Sequence, residues 1–239
     1  MIVAIIPARY NSSRFPGKAL VTLGGTPLVA LVLQGALRAG VADQVWLATD
    51  DARIAAVAAR WCPGVRTHLD ERSAFACGSD RVAALAATLG LGAGDAVLNV
   101  QGDEPCVEVE ILTGALEALG LVGAEIGTVG APLDGAAVDD PDLVKLVVGP
   151  DGIARAFSRR RLAPDQAPEQ LAHVGVYAFT PVALRRFAAL PPGRAEREQR
   201  LEQLRAMEHG MRIGVRTVRR ATIAINRPED LAQAEAALG

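Results

Sequence analysis

The order of apolar and polar positions along the chain predicts strands and helices in alternation. Short apolar runs such as residues 2–8 are typical of buried strands, and longer stretches with helical spacing follow them. Strand and helix in turn predict an α/β fold with a mostly parallel sheet covered by helices on both faces. Further strands are expected at 44–50, 65–68, 95–103, 173–180 and 212–218, and helices at 27–39, 51–61, 79–89, 181–189, 194–209 and from 228 onward.

Residues 124–165 interrupt this alternation with short extended runs. The runs IGTVGAPL, LVKLVVGPDG and ARAFSR follow one another, and the Pro-Asp-Gly at 150–152 is typical of a hairpin turn. We therefore expect one domain over 1–239 that carries an antiparallel arm at about 124–165.

Composition narrows the class of protein. Half of the 239 residues are hydrophobic and 22% are charged, which indicates a large core. No apolar run reaches the roughly 18 residues of a membrane span, and Met1 leads directly into a strand, so we expect a cytoplasmic protein that does not enter a membrane. The net charge of −2 and the scarcity of aromatic residues argue against nucleic acid as a partner. The three cysteines and three histidines share no metal-ligand spacing.

Polar residues that suit a nucleoside triphosphate follow three of the predicted strands. The first strand leads into PARYNSSRFPGK, the second into ATDD, and the strand LNV into QGDEP. In a parallel sheet these ends lie together, where loop N–H groups and cations bind phosphates and an aspartate holds a magnesium ion. Lys18 stands out because only it and Lys145 are lysines among the 25 basic residues. A P-loop is disfavoured, since Ala19 follows Gly17-Lys18.

Six segments resemble, in order, the motifs of the bacterial CMP-Kdo synthetases, the 3-deoxy-manno-octulosonate cytidylyltransferases. They are IPARYNSSRFPGKAL, LATDD, LNVQGDEP, HVGVYAF, LEQLRAMEHG and RPEDLAQAEAAL. The resemblance spans nearly the whole chain. It implies a nucleotide-diphosphosugar-transferase-like fold and a homodimer, with the arm as the interface. The implied reaction uses CTP and Mg²⁺ to join CMP to an acidic sugar with release of pyrophosphate.

The resemblance also assigns roles to residues. Lys18, Arg14 and Asp103 would be catalytic, with Lys18 on the phosphates and Asp103 as a metal ligand. The other nucleotide-binding residues would be Arg9, Ser12, Ser13, Gly78, Asp80 and Gln101. The acceptor would contact Arg159, His173, Tyr177, Glu202 and Gln203, with Arg205 in the same LEQLR motif.

Each assignment has a purely structural alternative. Asp103 can cap the following helix, Asp50 and Asp51 can do the same, and His173 can be a buried strand residue with satisfied hydrogen bonds. The LEQLR segment also suits an amphipathic helix whose Glu and Arg face water. Lys145 is expected either to line the site or to lie on the dimer face.

Three departures from the family pattern bear on function. Asn226 stands where the second metal ligand, an Asp, is usual, and a neutral oxygen weakens a magnesium site. Arg227 follows in place of a capping Thr, which puts a cation near a helix N-terminus. The segment SAFACGSDR lacks the usual His, and Gln199 replaces a usual acid.

These departures leave three readings open. The first is a CMP-Kdo synthetase with local divergence. The second is a cytidylyltransferase for another small acid, such as a phosphonate, whose extra negative charge a cation such as Arg227 helps to hold. The third is a non-catalytic CTP-binding homologue, against which the retained Lys18, Asp103 and acceptor motifs argue.

Overall fold

The structure, a computed structural model, describes residues 1–12, 14–71, 75–133, 138–162 and 170–238. Within these ranges a large sheet and a small one are flanked by helices. The strands of the large sheet are β1 Ile2–Ala8, β4 Gln44–Thr49, β5 Arg66–Leu69, β6 Ala96–Val100, β7 Ile126–Pro132, β8 Lys145–Val148, β9 Ala154–Ser158, β10 Leu171–Phe179 and β11 Ile213–Thr217. The small sheet pairs β2 Thr22–Leu23 with β3 Thr26–Pro27.

The large sheet is mostly parallel. Its main path runs β11-β7-β10-β6-β1-β4-β5, and β8 and β9 form a hairpin beside β10. Strands β4, β5 and β6 run parallel with β1, and β7 and β11 point the same way because reversed β10 separates them from β6. The predicted fold class is confirmed.

Helices cover both faces of the sheet. Alternate residues of β1 belong to two different cores: Ala4 and Ile6 pack with the helices at 28–39, 52–61 and 109–119, whereas Val3 and Ile5 pack with the helices at 78–86 and 181–189. This accounts for the unbroken apolar run in the sequence, since a central parallel strand is buried on both sides. The helices are α1 Leu28–Ala39, α2 Ala52–Trp61, α3 Gly78–Ala86, α4 Val109–Leu119, α5 Pro181–Ala189, α6 Arg194–Gln199, α7 Gln203–Glu208 and α8 Asp230–Leu238.

Three expectations about these elements need correction. Strand β7 lies in the main sheet between β10 and β11, so the antiparallel arm is limited to the hairpin β8–β9. The single helix expected at 194–209 is two short helices, because Arg200 takes the left-handed conformation with φ 54°. Helix α3 ends at Ala86 rather than at 89. Across the described ranges, no helix has both the length and the apolar character that spanning a bilayer requires.

Candidate functional site

A two-part cleft lies where the carboxyl ends of β1 and β6 meet. The smaller part has a volume of about 180 Å³ and is lined by the loop after β1 and the start of α3. The larger part, about 800 Å³, extends toward β10 and the helices α6 and α7. The two parts share a wall that includes Arg9, Arg14, Gly78, Gln101 and Asp103. The cleft can therefore hold two ligands side by side, with a cationic and an acidic group between them.

Lys18 is fixed at the wall of the smaller part. Its loop closes with Gly17 N–H donating to Tyr10 O at 2.8 Å, and Gly17 adopts φ +73°, a conformation that favours glycine. A single 3₁₀ turn, Lys18–Leu20, begins there, and buried Ala19 anchors it. The Lys18 ammonium donates to Asp103 Oδ2 and to Ile225 O, each at 2.7 Å. The loop thus holds its cation beside the predicted metal ligand.

Asp103 keeps one oxygen available. Its Oδ2 accepts from Lys18, whereas Oδ1 has no hydrogen bond to any residue in the described part of the chain. Helix α4 begins at Val109 with Glu108 at its N-cap position, so the capping alternative for Asp103 is wrong. Asn226 follows Ile225, whose N–H donates to Asp103 O at 2.9 Å, and the two predicted metal ligands are therefore neighbours. Asp103 Oδ1 and the phosphates of a nucleotide suit a Mg²⁺ ion, which commonly uses few protein ligands. Asn226 would join them by exchanging the hydrogen bond that its Oδ1 accepts from Arg14 for the ion.

Arg14 and Arg227 share one carboxylate. Arg14 donates from Nη1 to Asp142 Oδ1 and from Nη2 to Asn226 Oδ1, both at 2.7 Å. The Nε of Arg227 lies 2.6 Å from Asp142 Oδ2. Asp230 accepts from the N–H groups of residues 226 and 227, at 2.6 and 2.8 Å. Asp142 and Asp230 thus compensate the unfavourable placement of Arg227 that the sequence indicates.

Gly78 and Gln101 shape the smaller part of the cleft. A Cβ atom on Gly78 would lie 3.0 Å from Gln101 Oε1 and 3.2 Å from Pro7 Cγ, so a larger residue would crowd this wall. Arg9 and Ser12, two of the predicted nucleotide-binding residues, also line it. The predicted residue Ser13 lies outside the described residues.

Asp80 belongs to a buried ion-pair network. The side chain of Arg205 is 2% exposed, and its Nη1 donates to Asp80 Oδ1 at 2.8 Å. Nε and Nη2 of Arg205 donate to the two oxygens of Glu196, at 2.9 and 2.7 Å. Burial opposes the charge of Arg205, but hydrogen bonds to Glu196 and Asp80 raise its pKa above the ordinary value. The expectation that this Arg contacts the sugar or faces water is wrong, and Asp80 is engaged by Arg205.

Glu202 lies against the N-terminus of α3. Its carboxylate accepts from Ser79 N at 3.2 Å, from Ser79 Oγ at 2.6 Å and from Gln101 Nε2 at 3.0 Å. A carboxylate is favourable at this end of a helix. Glu202 and buried Gln203 both line the larger part of the cleft.

His173 and Tyr177 line the larger part from β10. His173 lies between Phe157 and Tyr177, and burial lowers its pKa to about 3, although part of its surface is still accessible. The Thr128 hydroxyl donates to Val176 O at 2.7 Å, so it accepts from His173 Nε2 at 3.1 Å. This assigns a neutral imidazole whose Nδ1 is a hydrogen-bond acceptor. A group with so low a pKa is a poor general base.

Arg159 lines the larger part of the cleft, but much of its guanidinium is engaged. Nε donates to Gln199 O at 3.1 Å, and Nη1 donates to Pro141 O and Asp142 O at 3.3 and 3.2 Å. The main chain of Arg159 also donates to Gln199 Oε1 at 3.2 Å. Burial and the neighbouring Arg14 lower the pKa of Arg159.

Lys145 has a structural role. It is fully buried, and its ammonium donates to Asp140 O and, at 2.9 Å each, to Leu143 O and Arg159 O. Burial lowers the pKa of Lys145. Both expectations for Lys145, a place on the cleft wall or on a dimer face, are wrong, because its three N–H groups are used to tie the loop before β8 to the end of β9.

Asp50 and Asp51 have different partners. Asp51 is the N-cap of α2 and accepts from Arg53 N at 2.8 Å, as the capping alternative predicts. Asp50 instead pairs with Arg81 at 2.7 Å.

Three acids of the site were missed by the sequence reasoning. Asp142 holds Arg14, Glu196 holds Arg205, and Glu104 is buried beside Asp103 with Gly175 N and Thr222 Oγ1 as partners. Burial, with the charge of Asp103, raises the pKa of Glu104 to about 7. Only Glu104 had a signal in the sequence, because it lies within the motif QGDEP.

Known proteins are similar to this chain over most of its length. A family model described as cytidylyltransferase matches residues 3–213. A 3-deoxy-manno-octulosonate cytidylyltransferase of Anaeromyxobacter sp. (strain Fw109-5) is 44% identical over 245 residues, covering 99% of this chain and 96% of that protein. The protein of the same name from Xanthomonas campestris pv. campestris (strain 8004) is 41% identical over 247 residues, covering 98% of each chain.

Solved structures match over the whole chain as well. The CMP:2-keto-3-deoxy-manno-octonic acid synthetase complexed with CTP is 30% identical and superimposes with a TM-score of 0.87, covering 99% of this chain and 98% of that one. HddC from Yersinia pseudotuberculosis, at 12% identity with a TM-score of 0.71 over 100% of both chains, shares the fold alone. The family model and the two relatives show that the chain belongs to the cytidylyltransferase family.

Proposed function

We propose that the protein transfers CMP from CTP to 3-deoxy-manno-octulosonate and releases pyrophosphate. The names of the two relatives and of the solved structure with CTP support this substrate pair. The observation that carries the proposal is the shared wall of the cleft. Arg14, Gln101 and Asp103 lie between a smaller part, lined by the cationic loop after β1, and a larger part, where an acid would lie beside the phosphates.

The chemistry requires positioning and charge neutralisation. A hydroxyl oxygen of the acceptor attacks the α-phosphorus in line and loses its proton to solvent. The new O–P bond forms, and the bond between the α-phosphorus and the oxygen that bridges it to the β-phosphorus breaks. Negative charge moves onto the leaving pyrophosphate. Lys18 and Arg14 both line the smaller part as cations that would neutralise this charge, and fixed donors of this kind are a main source of catalysis.

A magnesium ion belongs to the proposal as well. Asp103 and Asn226 would hold it together with phosphate oxygens, and it would supply further neutralisation of phosphate charge. On the proposed acceptor side, neutral His173 would accept a hydrogen bond from the acid at Nδ1, and Gln203 and Tyr177 line the same space. A homodimer, which the resemblance to the family implies, and a cytoplasmic location complete the proposal.

The function is tested by following pyrophosphate release with purified protein, CTP and Mg²⁺. We expect turnover with 3-deoxy-manno-octulosonate and at least tenfold lower kcat/KM with small phosphonates. Faster turnover of a phosphonate would favour the alternative acceptor instead. If no acid gave turnover above that of a Lys18→Ala control, the result would favour the third interpretation, a non-catalytic CTP-binding homologue.

Asn226→Asp is expected to tighten magnesium binding. The substitution adds one negative charge beside Asp103, and ligand charge strongly affects the affinity of oxygen sites for divalent ions. We expect the half-saturating Mg²⁺ concentration to fall by about threefold to tenfold, and Asn226→Ala to raise it. Calorimetric titration of Mg²⁺ into the enzyme with CTP gives a measurement independent of turnover. Unchanged metal affinity in both variants would show that residue 226 does not lie next to the ion.

A further inference from the structure

Arg200 has an unfavourable backbone conformation at the edge of the cleft. It lies at φ 54° and ψ 46°, between α6 and α7, and among the described residues it is the non-glycine residue with a positive φ. This region of backbone space is usually occupied by glycine, and strained residues of this kind gather at ligand sites. The sequence has an arginine where glycine would suit the backbone best, which points to a use for the side chain.

The neighbours of Arg200 hold this conformation firmly. Its N–H donates to Glu196 O at 2.7 Å. The preceding residue, Gln199, is held by Arg159 through two hydrogen bonds, one to its side chain and one to its carbonyl. The turn between α6 and α7 is therefore attached to the end of β9. This fixes the position of the backbone from which the Arg200 side chain extends.

The guanidinium of Arg200 is free to bind a ligand. It lines the larger part of the cleft and is exposed, and no residue in the described ranges forms an ion pair or side-chain hydrogen bond with it. Of the other arginines that line this part, Arg14 is engaged by Asp142, Arg159 by three carbonyl oxygens and Arg197 by Pro192 O. Arg9 has no such partner among the described residues, but it belongs to the wall shared with the smaller part, whereas Arg200 lines only the larger part. The guanidinium N–H groups of Arg200 are therefore available to a ligand in the larger part of the cleft.

Arg200 also lies close enough to Arg159 for their charges to interact. Burial is the main cause of the lowered pKa of Arg159, and the charge of Arg200 contributes to it. An anion placed between the two would relieve this repulsion. A carboxylate matches the planar fork of an arginine with two parallel hydrogen bonds.

We propose that Arg200 is a specificity-determining residue that binds the carboxylate of the acceptor acid. This inference rests on the proposed function. It assigns carboxylate binding to a residue that the sequence motifs did not indicate. Arg159 then has a positioning role, because it holds the turn between α6 and α7 in place.

The variant Arg200→Gly separates this role from a structural one. Glycine suits the left-handed backbone, so the thermal midpoint of unfolding should stay equal or rise while the guanidinium is lost. We expect the acceptor KM to increase by about tenfold to a hundredfold, the effect of removing one charge-assisted pair, with the CTP KM within about twofold of wild type. Arg200→Lys should be intermediate, because it keeps the charge and loses the fork. Arg194→Ala, at an exposed site on the same helix that pairs with Glu198, serves as a matched control without effect.

A neutral acceptor provides the second measurement. With the carboxamide of the acid, wild type and Arg200→Gly should have the same KM, because the group that Arg200 binds is absent. An equal loss with the acid and the carboxamide would overturn the proposal, and so would an unchanged KM for the acid.

Calorimetric titration of the acid without CTP distinguishes failure of the proposed function from failure of the role proposed for Arg200. If wild type shows no turnover with the acid, the proposed function fails. If wild type and Arg200→Gly bind the acid equally, the role of Arg200 fails.

Discussion

Replacing Lys18 with methionine is expected to lower kcat by about a thousandfold, the effect of losing a fixed donor to transition-state charge. Methionine keeps most of the length of the side chain and removes the ammonium that lies 2.7 Å from both Asp103 Oδ2 and Ile225 O. Charge on the pyrophosphate leaving group grows in the transition state, so the loss should appear in kcat more than in the KM for CTP.

Lys18→Arg should not restore activity. An ammonium donates to two acceptors from a single nitrogen, whereas a guanidinium is planar and wider and would displace the loop or Asp103. Arginine is otherwise the common basic residue in this chain, which makes the lysine here informative.

Folding controls accompany the kinetic measurement. The side chain of Asp103 is 28% exposed, so losing its partner should change the free energy of unfolding by less than about 1 kcal/mol. Arg219→Met, at an exposed cation paired with Glu110, is the matched control and should keep full activity. A Lys18→Met enzyme that retains a tenth of the wild-type kcat, or a CTP complex with its triphosphate away from residue 18, would contradict the role proposed for this loop.

The elements of the sheet were predictable because their signals are local. The buried run at 2–8 and the helix spacing at 28–39 each follow from one periodicity, and the polar ends of β1 and β6 followed from the topology of parallel sheets. The Gly17-Lys18 turn and the Asp103 segment were found in this way, and they meet at the wall of the cleft.

The corrections concern features that depend on contacts distant in sequence. Helical spacing does not show that a helix breaks at Arg200, because the break depends on Gln199 being held by Arg159. An arginine in a charged helix is usually read as solvated, and only the approach of Asp80 and Glu196 explains the burial of Arg205. The same reason applies to Asp142, which lies 128 residues from its partner Arg14.

The largest effect on stability is expected for Arg205→Met. This variant leaves the carboxylates of Glu196 and Asp80, whose side chains are 11% and 16% exposed, without their cation. Breaking a buried ion pair from one side costs about 3–5 kcal/mol, because the remaining charge is poorly solvated. Urea unfolding should show a loss of this size in the free energy of unfolding, together with a weaker link between α3 and α6.

Removing the charge of one carboxylate that has lost its cation tests this explanation. Adding Glu196→Gln to Arg205→Met should recover part of the lost free energy, since one buried unpaired charge is removed. Arg212→Met is the matched control: its partner Asp151 is 40% exposed, and the loss should be at most about 1 kcal/mol. If Arg205→Met is no more destabilising than Arg212→Met, the network does not hold the two helices, and α3 must be positioned mainly by Glu202 through Ser79 and Gln101.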